Sequence, residues 1–302
     1  MYKYSSIIRV EDVIEACEEF VFQIVLKENM PFKIIDCYFQ IKKNHDYRFA
    51  ESDYLIVLYF SEDKNMELAR EKIKKAVEFF VFLTRIPFAV NSSIVESVGN
   101  DIPTIDVNQS KGKMLNIEEC NKIYARIRKK KKLLENVLEI YALAMKEDYL
   151  LAGNKEDAFF TYFKIIEVIV KDEFFIEKNS INKGQDCTKR YIEQMLSNVY
   201  NLETQENRLN ELAGLIKQIV FEQTFDKTYH KIMWFLKRKN IFVNKNIVSS
   251  IVTMRNDIAH GQNVIIKEDM DEYKNIIILA KKVIEAKFFG RKMEIVCRQI
   301  VL

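Results

Sequence analysis

A chain of 302 residues with 48% apolar residues is long enough to bury roughly three quarters of its unfolded surface, and it suits two domains or one large one. With only 7 Gly and 3 Pro, and long tracts of Lys, Glu, Ile, Leu and Asn, helix is the expected main element. The formal charge of +3 and pI near 8.4 are too mild to mark the whole chain as a nucleic-acid binder, so any such role has to rest on local clustering.

Cys17, Cys37, Cys120, Cys187 and Cys297 are scattered, with no C-x-x-C pair. That argues against both a disulfide framework and a zinc site, and neither metal nor cofactor is expected. Acidic residues interrupt MYKYSSIIRVEDVIEA where a signal peptide needs an apolar core, and no apolar run has the length of a membrane span. The expectation is a cytoplasmic protein that does not meet the membrane.

In chain order, Val10 to Glu28 carries apolar residues at Val13, Cys17, Phe20 and Ile24, a helical spacing. The segments Lys33 to Lys42 and Asp53 to Phe60 are short, rich in branched and aromatic residues, and separated by a polar stretch, as paired strands are. A second helix runs from Met66 to about Thr84 and ends ahead of Pro87. From Asn91 to Gly112 the pattern breaks, around short candidate strands at Ser93 to Val98 and Pro103 to Val107. A domain boundary is placed there, giving an α+β N-terminal domain over 1–112 and a helical bundle over 113–302.

The bundle begins with a helix or helix pair from Ile117 to about Leu151. Within it lies the basic run Arg126, Ile127, Arg128, Lys129, Lys130, Lys131, Lys132, which can lie along phosphates or simply be a solvated helix face. The helix from Glu156 to Ile176 is apolar on several faces, as a central bundle helix is. Further helices are expected near Arg190 to Tyr200, Thr204 to Glu222 and Phe225 to Lys239. The next starts after Asn244 as N-cap, with Ile247, Ile251, Met254 and Ile258 as its apolar stripe, and the last covers Asp269 to Phe289. Gly261 is placed to take a left-handed conformation as C-terminal cap.

That penultimate helix ends on MRNDIAHGQ, Met254 to Gln262, which reads either as a well-capped helix end or as part of an RNA-cutting site. Cleaving RNA by acid–base chemistry needs a base for the 2′-hydroxyl proton, an acid for the leaving oxygen, and positive charge for the phosphorane. His260 can exchange the proton, and the helix terminus and Asp257 favour its charged form, hence the acid role. Arg255 supplies fixed charge. Five helical residues turn about 500°, leaving the two roughly 140° apart, so a long arginine side chain is needed for both to reach one phosphate. Asn256 shares the face of His260. The chain has three histidines, His45, His230 and His260, and a two-fold dimer would bring two copies of this helix end around one phosphate. Glu167, in its apolar helix, either pairs with Lys171 one turn on or orients Arg255 or His260. Tyr229, Trp234 and Phe235, at helical spacing, fit a core better than a base-stacking platform.

The string R-N-D-I-A-H-G, late in a helical bundle with one more helix after it, resembles the R-x4-6-H signature of the HEPN superfamily in its R-N-x3-H form. The resemblance covers roughly residues 133–289, and its wording is nearest to bacterial ApeA-like and MAE-type antiphage families. The FFTYFKIIEVIVKDE segment is similar to the early HEPN helix that carries an inward glutamate, here Glu167. The resemblance implies a dimeric, metal-independent endoribonuclease with Arg255 and His260 catalytic and Asn256 orienting them. It further implies an RNA substrate, tRNA among the candidates, and a role as an antiphage or toxin effector, with a regulatory protein or phage-derived trigger among the expected partners. The alternative is a catalytically silent HEPN-fold protein that binds RNA or acts as a scaffold or inhibitor. The nuclease reading requires Arg255 and His260 to be exposed and convergent.

Overall fold

The computed structural model describes residues 1–10, 31–42, 54–90, 94–99, 101–104, 117–127, 130–149, 155–176, 227–262, 266–267 and 270–290. The expected helices at Val10 to Glu28, Arg190 to Tyr200 and Thr204 to Glu222 lie outside these, apart from Val10, as do Arg128 and Lys129. Among the described residues the protein is mainly helical with a smaller sheet at its N-terminal end. No described helix is long and apolar enough to cross a membrane.

By its internal contacts the chain divides into two compact units. One comprises Met1–Tyr162, Ile266–Glu268 and Ile284–Leu302, the other Phe163–Ile265 and Asp269–Val283. This division differs from a boundary at residue 112 in placing residues 113–162 with the sheet. The physical reason is the packing of the helix at Lys131–Tyr149 along the one at Met66–Thr84.

In the first unit, strand β1 (Tyr2–Val10) is central. It pairs antiparallel with β4 (Tyr54–Ser61) on one edge. Its other edge is shared by β5 (Phe88–Val90) at its C-terminal half and β6 (Val95–Val98) at its N-terminal half. The segment read as one strand from Lys33 to Lys42 is instead a hairpin of β2 (Phe32–Ile34) and β3 (Cys37–Lys42), and β3 pairs with β4. Its tight turn puts Ile35 at φ 55, a costly conformation for a β-branched residue. The Asn121 side chain holds it, accepting from Ile35 N at 2.9 Å and donating to Lys33 O at 2.7 Å. Of the second candidate strand, Pro103 and Thr104 are described and are not in a strand.

Helix α1 (Met66–Thr84) starts as expected, with Asn65 Oδ1 accepting from Leu68 N at 2.9 Å, and it is buried from Ala76 to Thr84. A helix apolar all round has to be covered on both sides, and the aromatic residues show how. Phe80 packs on Phe32, Phe39 and Phe88 of the sheet, while Phe79 and Phe82 meet Tyr124, Tyr141 and Phe289. Helices α2 (Ile117–Arg126) and α3 (Lys131–Tyr149) supply Tyr124 and Tyr141. Along the α1–α3 seam, Lys74 meets Glu139 at 2.6 Å and Glu78 at 3.7 Å, and Lys75 meets Glu71 and Glu135.

In the second unit, residues 163–176 of helix α4 (residues 155–176) pack with α5 (Thr228–Arg238) and α6 (Lys245–Ala259), and residues 271–283 come from α7 (Asp271–Ile284). A π-helical turn, Glu285–Phe289, follows α7. Phe163, Ile166 and Val170 of α4 are buried as the periodicity predicts, while Phe160 is exposed. The buried stripe of α6 is Val248, Ile251 and Met254, with Ile247 and Ile258 only half-buried, so the helix is rotated from its expected facing.

Candidate functional site

Helix α6 carries the motif, and both its ends are built by local sequence. Asn244 Oδ1 accepts from Asn246 N at 2.9 Å, satisfying one of the open N–H groups of the first turn. At the other end His260 is the C-cap and Gly261 takes φ 71. Gly261 N donates to Ile258 O and Gln262 N to Asp257 O, both at 3.0 Å, the paired bonds of a Schellman motif. The chain turns sharply after His260, leaving its imidazole exposed at the helix end.

Arg255 lies between three groups. Its Nη2 donates to Glu167 Oε1 of α4 at 3.2 Å, its Nη1 to Asn256 Oδ1 at 3.2 Å, and its guanidinium carbon stands 5.5 Å from the centre of the Phe163 ring. The arginine side chain keeps 27% exposure against 16% for Glu167. It is held by carboxylate, amide and aromatic ring without being cut off from solvent. This is a good posture for a cation meant to meet a phosphate, because a planar guanidinium with several N–H donors can hold a carboxylate and still offer edges to a second anion.

Glu167 therefore pairs with Arg255, and with neither Lys171 nor His260, the other partners open to it. Asp257 contributes its backbone carbonyl to the helix cap; its carboxylate makes no hydrogen bond or ion pair with a described residue, His260 included. Arg255, Asn256 and Glu167 form one cluster, and His260 stands five residues beyond Arg255, about 7.5 Å along the axis. Both motif residues reach solvent.

The basic run is not one helix face. Arg126 ends α2, Ile127 is outside it, and Lys131 opens α3, so the cations flank a break; Arg126, Lys131 and Lys132 are exposed and Lys130 is half-buried. Lys131 Nζ stands 5.7 Å from the Tyr124 ring. This run lies in the first unit and Arg255 in the second. No group of three His, Cys, Asp or Glu that could hold a metal ion exists among the described residues.

A second ion pair on α4 was not foreseen. Glu173, buried, meets Lys239 Nζ at 2.7 Å and Arg238 Nε at 3.8 Å at the end of α5. A carboxylate six residues after Glu167 in so apolar a helix was the available signal.

Compared with family models, with curated proteins and with solved structures, the chain matches none.

Proposed function

We propose that this protein is a metal-independent endoribonuclease of the HEPN type, acting as a homodimer in bacterial antiphage defence or as a toxin. The observation that carries the reading is the Arg255 cluster: an arginine oriented by Glu167 and Asn256, still open to solvent, on the helix whose capped end presents His260. In the reaction the 2′-oxygen attacks phosphorus as a base removes its proton, and the 5′-oxygen leaves with a proton from an acid. His260 serves as the acid, the second copy's His260 as the base, and Arg255 balances the charge of the phosphorane. The products are a 2′,3′-cyclic phosphate and a 5′-hydroxyl.

The test is cleavage of total cellular RNA and of tRNA in EDTA by the wild type and by His260→Ala, with the cut ends analysed for cyclic phosphate. A general acid–base group contributes about 10²- to 10⁴-fold, so the variant should show almost no cleavage. The Glu167–Arg255 pair also favours a second reading, a silent RNA-binding or scaffold module, since a salt-bridged arginine can be purely structural. Equal cleavage, or none, by both proteins favours that module.

A further inference from the structure

Residues 227–256 hold seven Lys or Arg and no Asp or Glu. The whole chain has 47 basic and 44 acidic residues, so the remainder holds 40 against 44 and is net acidic. The stretch is α5, its linker and α6, and it matches the charge of residues 120–134, which also hold seven Lys or Arg and no Asp or Glu, while adding an exposed aromatic ring. We propose that this helical hairpin is a surface that binds single-stranded RNA, with Phe242 as the platform on which a base stacks. The choice of RNA among polyanions rests on the nuclease reading above; the basic aromatic surface does not.

On α5, Lys231, Trp234 and Arg238 follow at spacings of three and four, within about 60° of the helix circumference, with Lys227 as the N-cap before them and Lys231 Nζ 5.6 Å from the Phe174 ring. Ile232, Phe235 and Leu236 fill the buried side. Lys227, Lys237 and Lys245 are exposed, and the Arg238 side chain keeps 43% exposure although it also meets Glu173. Trp234 is not the platform: it packs edge-on against Phe174 at 5.4 Å, and Arg238 stands 5.8 Å from its ring.

Phe242 is 91% exposed, and the turn that carries it is well defined. Asn240 adopts φ 54, its N–H donates to Lys237 O at 3.1 Å, and Ile241 N donates to Leu236 O at 2.8 Å, which closes α5 with a second Schellman motif. An aromatic ring held out in water among lysines, with no acid nearby in sequence, has the make-up of a single-strand site, where phosphates meet cations and bases meet rings. A membrane surface fits less well, because interfacial binding needs a broad apolar face, and Ile232, Phe235 and Leu236 of α5 are buried. Lys245 and Arg255 lie ten residues apart on α6, about 15 Å along its axis, so a strand stacked at Phe242 can run along α6 toward Arg255.

The test measures binding of a short labelled single-stranded RNA to the full chain carrying His260→Ala, which leaves the RNA uncut, across a salt series. Adding Phe242→Ala should weaken binding about tenfold at every salt concentration, with Phe242→Trp restoring it. Adding Lys237→Glu with Lys245→Glu should reduce the salt slope by about 1.4, roughly 0.7 for each lost phosphate contact. Unchanged binding in both sets overturns the proposal, and so does a parent protein that ignores RNA, whether or not it sediments with phosphatidylserine vesicles. Cleavage by the His260-bearing protein is read separately. His260-dependent cleavage with unchanged binding in both sets removes this surface and keeps the nuclease. Weakened binding without any His260-dependent cleavage does the reverse.

Discussion

Glu167 and Glu173 stand six residues apart on α4, and each holds a different helix: Glu167 meets Arg255 of α6 at 3.2 Å, and Glu173 meets Lys239 at the end of α5 at 2.7 Å. Six residues turn about 600°, leaving the two carboxylates about 120° apart around the axis, which suits a helix with two neighbours on different sides. Each ion pair fixes the helix end that carries a proposed functional group: Arg255 on α6, and the turn into Phe242 after α5.

The Glu173–Lys239 pair should matter more to stability than an exposed cation on the same helix that joins neither pair. Glu173 is buried and Glu167 is half-buried, and removing the partner of a buried charge leaves its desolvation uncompensated. Lys239→Ala should cost about 1.5–3 kcal/mol, tempered by Arg238 remaining nearby. Lys171→Ala, a cation on the same helix that is exposed and pairs with neither carboxylate, should change stability by less than about 0.5 kcal/mol. Urea unfolding of the two variants, with coincident fluorescence and circular dichroism transitions, measures the difference.

At Gly261 the left-handed backbone, φ 71, matters and space does not, because a Cβ built there meets nothing within 4 Å. Gly261→Ala should therefore cost only the conformational term, about 1 kcal/mol. Gly261→Asn should cost less, since Asn tolerates this region, as Asn240 does at the end of α5 with φ 54. Denaturant midpoints for the two substitutions test this ordering, and equal losses would mean that the cap conformation is not the cause.

Glu78 gives the chain a pH dependence of its own. Burial pushes its carboxyl up to about 7, with Lys74 pulling down and Glu139 pushing up. The unfolded chain releases this proton near the ordinary pKa of about 4.3, so between there and about pH 7 the folded state binds more protons and stability falls as pH rises. The contribution is complete below the unfolded value and lost above the folded one, of order 3 kcal/mol in all. Glu78→Gln keeps the shape without the charge, so it should be more stable than the wild type at pH 8 and lose that advantage at pH 5. Urea midpoints of both proteins at the two pH values check the crossing.

Local chemistry made the helices legible, and distance hid the sheet. Asn65, Asn244 and Gly261 cap their helices through bonds to residues two or three positions away, which a sequence displays directly. Strand β1 was not read at all. Its inward face is Tyr4, Ser6 and Ile8, where a buried serine breaks the apolar alternation that marks a half-buried strand, and its partners lie some fifty to ninety residues on. The hairpin within Lys33 to Lys42 escaped because Ile35 turns left-handed only with the amide of Asn121 behind it. At the site, Arg255, Asn256 and His260 came from one short string, whereas the choice of Arg255 over Lys171 for Glu167 depends on how α4 and α6 face each other, which periodicity on either helix leaves open. The acid-free stretch of residues 227–256 was visible in the sequence throughout, but the compact cluster of Arg126 to Lys132 is the louder signal to an eye searching for runs.

Glu167 offers the sharpest test of how the proposed nuclease works. A carboxylate on Arg255 can position the guanidinium for the phosphorane, or it can occupy the cation that the substrate needs. Glu167→Gln keeps a hydrogen-bond acceptor within reach of Arg255 Nη2 while removing the charge. If the role is positioning, kcat should fall about tenfold with KM nearly unchanged, because the lost interaction matters most where charge develops. If Glu167 restrains Arg255, KM should fall instead, as the freed cation binds phosphate in the ground state as well. The bond to Asn256 of α6 and the ring of Phe163 of α4 remain in the variant and continue to hold Arg255, but neither replaces a full negative charge 3.2 Å from Nη2. The first outcome is therefore expected. Steady-state cleavage kinetics on one tRNA substrate, with Arg255→Lys run alongside as a planar-donor control, separate the two.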